Sequence, residues 1–289
     1  MSFKSIIKNI TKTTIALSLL AAGAAHAGTV SVSNYPLALL SNAVTKDAAP
    51  AKVLLNAGDV GHHGELSPSA KKLVVDSDYV VWFGGELEQN LVNTLSDAPN
   101  AISLFDFNAF ERLPLRNIDG TVQPGSFDAH IWLEPENAKA IVRALAVVHS
   151  HANPEHKAKY AQNAADFQAR MDEAVAKVNL SAKTLPYWAY HDAFQYLERS
   201  ANLQFAGALT PDHHLSPKAS QIRLLSQSRP QAVMCIASQG KVSDGIVNKL
   251  GNVGTVVRQE DMSDGTDFID AWQELALAIR DCVSGNAKQ

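Results

Sequence analysis

The chain has only two cysteines in 289 residues, Cys235 and Cys282, with no CxxC pair and no histidine within four residues of either. That argues against a thiolate metal site, which needs such ligands close together. No acidic residue precedes Asp47. The apolar run Ile15–Ala25 is too short to cross a bilayer as a helix, which takes about 20 residues. Neither an HExxH motif, nor an internal repeat, nor a low-complexity tract is present.

The N-terminus does carry three features in order. Lys4, Lys8 and Lys12 give a positive start, the apolar run follows, and Ala25-His26-Ala27 is a small-x-small cleavage site. Residues 1–27 are therefore expected to be a cleavable export signal, with the mature protein starting near Gly28 in the periplasm. No cysteine follows the cleavage site, so a lipid anchor there is excluded, and no membrane insertion is expected. Removing the three lysines takes the formal charge from -4 to -7. A chain of that balance lacks the basic patch that nucleic acid or an anionic membrane demands. In an oxidising compartment a Cys235–Cys282 disulfide is the default, worth about 4 kcal/mol at most in the chain-entropy model.

Short apolar runs alternate with helical patterns twice. Thr29–Ser33, Lys52–Asn56, Tyr79–Phe83 and Ile102–Phe105 read as strands, separated by helical stretches at Pro36–Thr45, Pro68–Asp76 and Glu86–Leu95. In the second half Tyr187–Tyr190, Gln204–Ala208, Gln231–Ala237 and Thr255–Arg258 are strand-like. Helical stretches follow at Ala193–Ala201, Pro217–Ser228, Val242–Leu250 and Asp267–Asp281. Such alternation predicts α/β structure with parallel sheets, in two lobes. Between them Tyr160, Ala164, Phe167, Met171, Val175 and Val178 lay one apolar stripe along a helix starting at Pro154, with Asn153 as its N-cap. A rod of about 40 Å would join the lobes and limit their relative motion. The expected division is 28–152 for the first lobe, 153–183 for the backbone helix and 184–289 for the second lobe. Asn108–Phe127 reads as a surface loop.

Nine histidines remain after the signal. His149, His151 and His156 flank a break between helices, and His213 and His214 sit in a loop where exposure is the ordinary outcome. Three are better placed. His62 and His191 each follow a predicted strand, where α/β sheets bind ligands, and His130 lies just ahead of a helix. Asp261, in Gln259-Glu-Asp-Met-Ser-Asp-Gly265, follows another strand-like run and could reach the same cleft from the second lobe.

Gly61-His-His-Gly-Glu-Leu-Ser-Pro68, running on to Val80-Val-Trp-Phe-Gly-Gly85, resembles a stretch of the metal-binding components of ABC transporters. Asp128-Ala-His-Ile-Trp-Leu-Glu-Pro135 and Tyr190-His-Asp-Ala-Phe-Gln-Tyr196 resemble two further elements of that family, in the same order. The chain is most similar to the zinc branch, the ZnuA-type solute-binding proteins of cluster A-I, in which a disulfide pairs positions like Cys235 and Cys282. The resemblance implies two α/β lobes on a backbone helix and one metal ion between them. The implied ligands are His62, His130 and His191, with His63 the alternative to His62 and Asp261 a candidate fourth. It also implies that the chain is no enzyme, works as a monomer and delivers Zn²⁺ to the inner-membrane permease of an ABC-type zinc importer. Ala129 replaces a usual proline, Gly61 stands where some zinc members carry an acid, and Asn108–Phe127 lacks their His- and acid-rich insertion.

Imidazoles with an oxygen suit zinc, whereas magnesium and calcium prefer oxygen alone and manganese more carboxylate. Asp128 and Asp192 are the nearby groups able to orient the rings. The nearest rival is a manganese or iron carrier of the same family; a zinc-dependent hydrolase and an exported adhesin are the rivals from other classes.

Overall fold

In this computed structural model, residues 27–46, 48–59, 66–179, 183–211 and 215–285 are described. The expected signal up to His26, and His62, His63, His213 and His214, lie outside them. The apolar runs of the first half become parallel strands β1 (Val30–Val32), β2 (Lys52–Val53), β3 (Tyr79–Trp82) and β4 (Ala101–Ser103), in the order β2-β1-β3-β4. Those of the second half become β5 (Leu185–Ala189), β6 (Leu203–Ala208), β7 (Met234–Ser238) and β8 (Val253–Val257), in the matching order β6-β5-β7-β8. Two parallel α/β lobes wound the same way result, each with a switch point beside its first strand.

Strand alternation gives each sheet two apolar faces. Val81 and Phe83 enter one core, while Val80 and Trp82 pack outward with Val74, Leu91 and Leu95. Tyr187 and Ala189 join that same first core, while Trp188, Met234 and Ile236 form an outer cluster of the second lobe. The inner core is continuous between the lobes, from Val32 to Val283. Its filling comes from α1 (Tyr35–Thr45), α4 (Pro135–Ala152), α5 (Lys157–Val178) and α9 (Phe268–Ser284). Helices α2 (Pro68–Asp76), α3 (Val92–Leu95), α6 (Glu198–Ala201), α7 (Ala219–Gln227) and α8 (Asp244–Leu250) complete the order.

The stripe on α5 is buried as its spacing requires, Val175 only partly. Its first half ties to the first lobe, where Tyr160 Oη donates to Ala48 O at 3.0 Å and Asn163 Nδ2 to Val44 O at 2.7 Å. Its second half meets the second lobe, with Phe167 against Phe268 and Arg170 paired to Asp267. Two local expectations fail here. Pro154–His156 is a 3₁₀ turn ahead of α5, and Asn153 caps nothing with its side chain, donating instead to Gly28 O at 3.0 Å. The stretch Glu86–Leu95 is broken because Glu88 turns inward, accepting from Phe83 N at 2.7 Å and from Asn34 Nδ2 at 2.9 Å. Cys235 of β7 and Cys282 of α9 form the disulfide, with Cα atoms 5.7 Å apart. Among the described residues no helix is long and apolar enough to cross a membrane.

His149 is wholly buried, 2.8 Å from Ser41 Oγ, and burial pushes its pKa down to about 4. A folded-state pKa below the unfolded one, about 6.5, means that the folded chain resists protonation. The associated stability is present above pH 6.5 and drains away as the pH falls toward 4, by about 3 kcal/mol in all. Urea unfolding of the wild type and of His149→Gln at several pH values should show this loss, and the variant's slope should be shallower by about one proton.

Candidate metal centre

Three segments converge where the lobes meet. His130 precedes a 3₁₀ turn (Ile131–Leu133) on the way from β4 to α4. His191 sits past the carboxyl end of β5, at the switch point of the second sheet, and Glu260 follows β8. All three are buried, at 6%, 6% and 3% exposure. Glu260 Oε2 lies 3.1 Å from His191 Nε2, and Oε1 lies 3.5 Å from His130 Nε2. One donor atom from each residue can be chosen so that all lie within 4.8 Å of one another. A tetrahedral ion with bonds of about 2.0–2.2 Å holds its ligands roughly 3.3 Å apart, so a small contraction would close this set on zinc.

The turn before His130, where a proline would be usual, is held by Asp128. Its Oδ1 accepts from the His130 backbone N at 3.1 Å and lies 2.7 Å from Nδ1. That contact makes Nδ1 the protonated nitrogen and aims Nε2 at the centre of the cluster. Asp128 is itself fixed, its carbonyl accepting from Tyr196 Oη at 2.9 Å. Burial pushes the His130 imidazole down, but the carboxylates of Asp128 and Glu260 outweigh it and hold its pKa well above the ordinary value. Burial likewise pushes Glu260 up, yet His191 and His130 hold it well below the usual carboxylate range. Imidazole and carboxylate donors bind a metal in their deprotonated forms, so a cation and protons compete for this cluster.

The expected residues fare differently. His130 and His191 meet, their ring centroids 6.1 Å apart, while His62 and His63 lie outside the described residues. Asp261 points away from the imidazoles. Its Oδ2 accepts from Gly58 N at 2.7 Å and its Oδ1 from Ser263 N at 3.0 Å. The carboxylate in the cluster belongs to Glu260, one residue earlier, which sequence reasoning passed over. One clue was there, because an Asp two residues before a serine is built for the turn it makes here. Gln239 was also missed; it follows β7, and its Nε2 donates to Glu260 Oε2 at 2.7 Å.

Asp192 does not orient His191. Arg116 takes both its oxygens, each at 2.7 Å, and Glu198 as well. Arg116 comes from the segment expected to be a surface loop, yet its side chain is only 11% exposed and its guanidinium stacks 4.3 Å from the Phe205 ring centroid. The loop is a strap from the first lobe onto the second, where Ala208 N also donates to Ile118 O at 2.9 Å.

Residues 30–282 match the family model of ZnuA, the periplasmic component A of zinc-uptake complexes. The chain belongs to that family. The high-affinity zinc uptake system protein ZnuA of Brucella suis biovar 1 is 23% identical over 313 aligned positions, covering 88% of this chain and 91% of the relative. A crystal structure of ZnuA superposes with a TM-score of 0.73 at 17% identity, covering 89% of this chain and 99% of the other. A ZnuA deletion mutant with zinc bound gives 0.72 at 18%, covering 91% and 100%. These structures share the two-lobed fold described above. ZnuA-family proteins are transport components and not enzymes.

Arg116→Ala would strand two largely buried carboxylates, Asp192 and Glu198. A loss of about 3–5 kcal/mol is expected by denaturant unfolding, with Arg116→Lys recovering only part of it because a lysine cannot grip a carboxylate bidentately.

Proposed function

We propose that this chain binds Zn²⁺ in the periplasm, after export by cleavage near Ala27 and Gly28, and hands it as a monomer to the inner-membrane permease of an ABC-type zinc importer. The observation that carries the reading is the buried His130–His191–Glu260 cluster, drawn from both sides of the lobe interface. Its relatives are named high-affinity zinc uptake system proteins, and one similar structure holds zinc. The division into 28–152, 153–183 and 184–289 gives this site a wall from each lobe and a rigid spine between them.

Zinc fits the donors. Two imidazoles and a carboxylate are borderline-soft ligands, and a further imidazole from His62, or from its neighbour His63, would make a four-coordinate set. Asp261 serves in this reading as the fastener of the loop that carries those histidines, through Gly58 N, and not as a ligand. Export suits the chemistry as well, since the disulfide needs an oxidising compartment.

Elemental analysis of protein taken from the periplasm without added metal should find about one zinc per chain. His130→Ala, His191→Ala and Glu260→Gln should each weaken zinc by more than about a hundredfold, beyond what losing an outer-shell partner does. Asp261→Asn should still hold one ion. Protein that preferred manganese to zinc, or a Glu260→Gln variant binding like the wild type, would overturn the assignment.

A further inference from the structure

The Glu260 carboxylate has two oxygens, and they are not equivalent. Oε2 accepts the Gln239 amide at 2.7 Å and lies 3.1 Å from His191 Nε2, whereas Oε1 lies 3.5 Å from His130 Nε2. Gln239 is placed firmly for this. It follows β7 at the switch point, and its backbone carbonyl accepts from Gln259 Nε2 at 2.8 Å, so the segments carrying Gln239 and Glu260 are tied directly together. The Glu260 backbone is pinned from the other lobe, its carbonyl accepting from Trp132 Nε1 at 3.0 Å. With both backbones held, the amide cannot easily leave the oxygen it has engaged.

We propose that Gln239 is a specificity-determining residue, which favours zinc over manganese by occupying one oxygen of Glu260 and leaving the other as a single-point ligand. The inference rests on the metal-site reading above. A carboxylate that chelates through both oxygens puts two donors close together and raises the coordination number, which suits larger oxygen-seeking cations such as manganese. Tetrahedral zinc takes one donor from each residue at wide angles. An amide N–H on one oxygen opposes chelation without adding charge, so it discriminates by geometry where raw affinity would not. Gln239 also lines, with Tyr190, Pro217, Lys241 and Ile246, a cavity of about 670 Å³ in the second lobe. Its side chain is only partly buried, so replacing it does not disturb a core.

The test uses the chain freed of metal with a chelator, comparing wild type with Gln239→Met, which keeps the length of the side chain but cannot donate. Zn²⁺ and Mn²⁺ affinities are measured by competition with a chromophoric chelator, and Co²⁺ absorption reports the coordination number. The ratio of zinc to manganese affinity is expected to fall by about tenfold or more, as for the loss of a hydrogen bond to a charged group. The intense Co²⁺ bands of four-coordination should weaken toward those of higher coordination. Gln239→Ala should act in the same direction, which separates the lost donor from any crowding by the methionine. An affinity ratio within about twofold of wild type with an unchanged Co²⁺ spectrum in both variants overturns the role of Gln239 alone. A wild-type chain that takes up neither zinc nor cobalt overturns the metal-site reading and this proposal together.

Discussion

A carboxylate buried where two lobes meet constrains everything around it. Glu260 is 3% exposed, and an isolated anion at that depth would cost several kcal/mol. It remains ionised because positive and donor groups arrive from both sides, His130 from the first lobe, His191 and Gln239 from the second. The same electrostatics give the cluster its appetite. Asp128 and Glu260 set two carboxylates beside the His130 ring. Such a group of donors favours a cation, and ligand geometry selects among cations.

For that selection to work, the halves of the site must stay in register. Trp132 Nε1 to Glu260 O, Trp272 Nε1 to Leu133 O at 2.9 Å and Tyr35 Oη to Gly265 O at 3.1 Å stitch the first half of the chain to the second. Two of these partners, Glu260 and Gly265, bound the Glu260–Gly265 turn, whose Met262 holds a positive φ of 56° with its side chain buried in the shared core. Such a conformation persists only where the surroundings over-determine it. Helix α5 packs against both lobes, and the Arg116 strap ties the first to the second. Wide hinge closure has little room in this arrangement. What is left to change with the ion is local, among the carboxylate's own partners.

Much of this was legible in the sequence, for identifiable reasons. Short apolar runs report strands buried on both faces, helical stripes report burial on one, and both sheets and the spine helix follow from them. His191 could be expected at the lobe interface because a strand end is a fixed address in a parallel sheet. The expectation fell on Asp261 while Glu260 sits in the cluster, because Gln259–Gly265 is a turn, where no periodicity says which of two adjacent acids faces inward. A tertiary partner decided the matter, since Gly58 N is 203 positions away in the chain and takes Asp261. Arg116 was hidden for the same reason: its partners Asp192 and Glu198 are 76 and 82 positions distant. Sequence patterns carry the local half of the fold, and charge pairs across lobes carry the rest.

The strap also bears on how the ion is reached. This chain spends the segment on Arg116, Ile118 and the stacking of a guanidinium on Phe205. A segment bound to the second lobe by largely buried ion pairs cannot also range outward to collect ions. Gln239 both lines a cavity of the second lobe and donates to Glu260 Oε2, so one side chain joins that cavity to the carboxylate at the lobe interface.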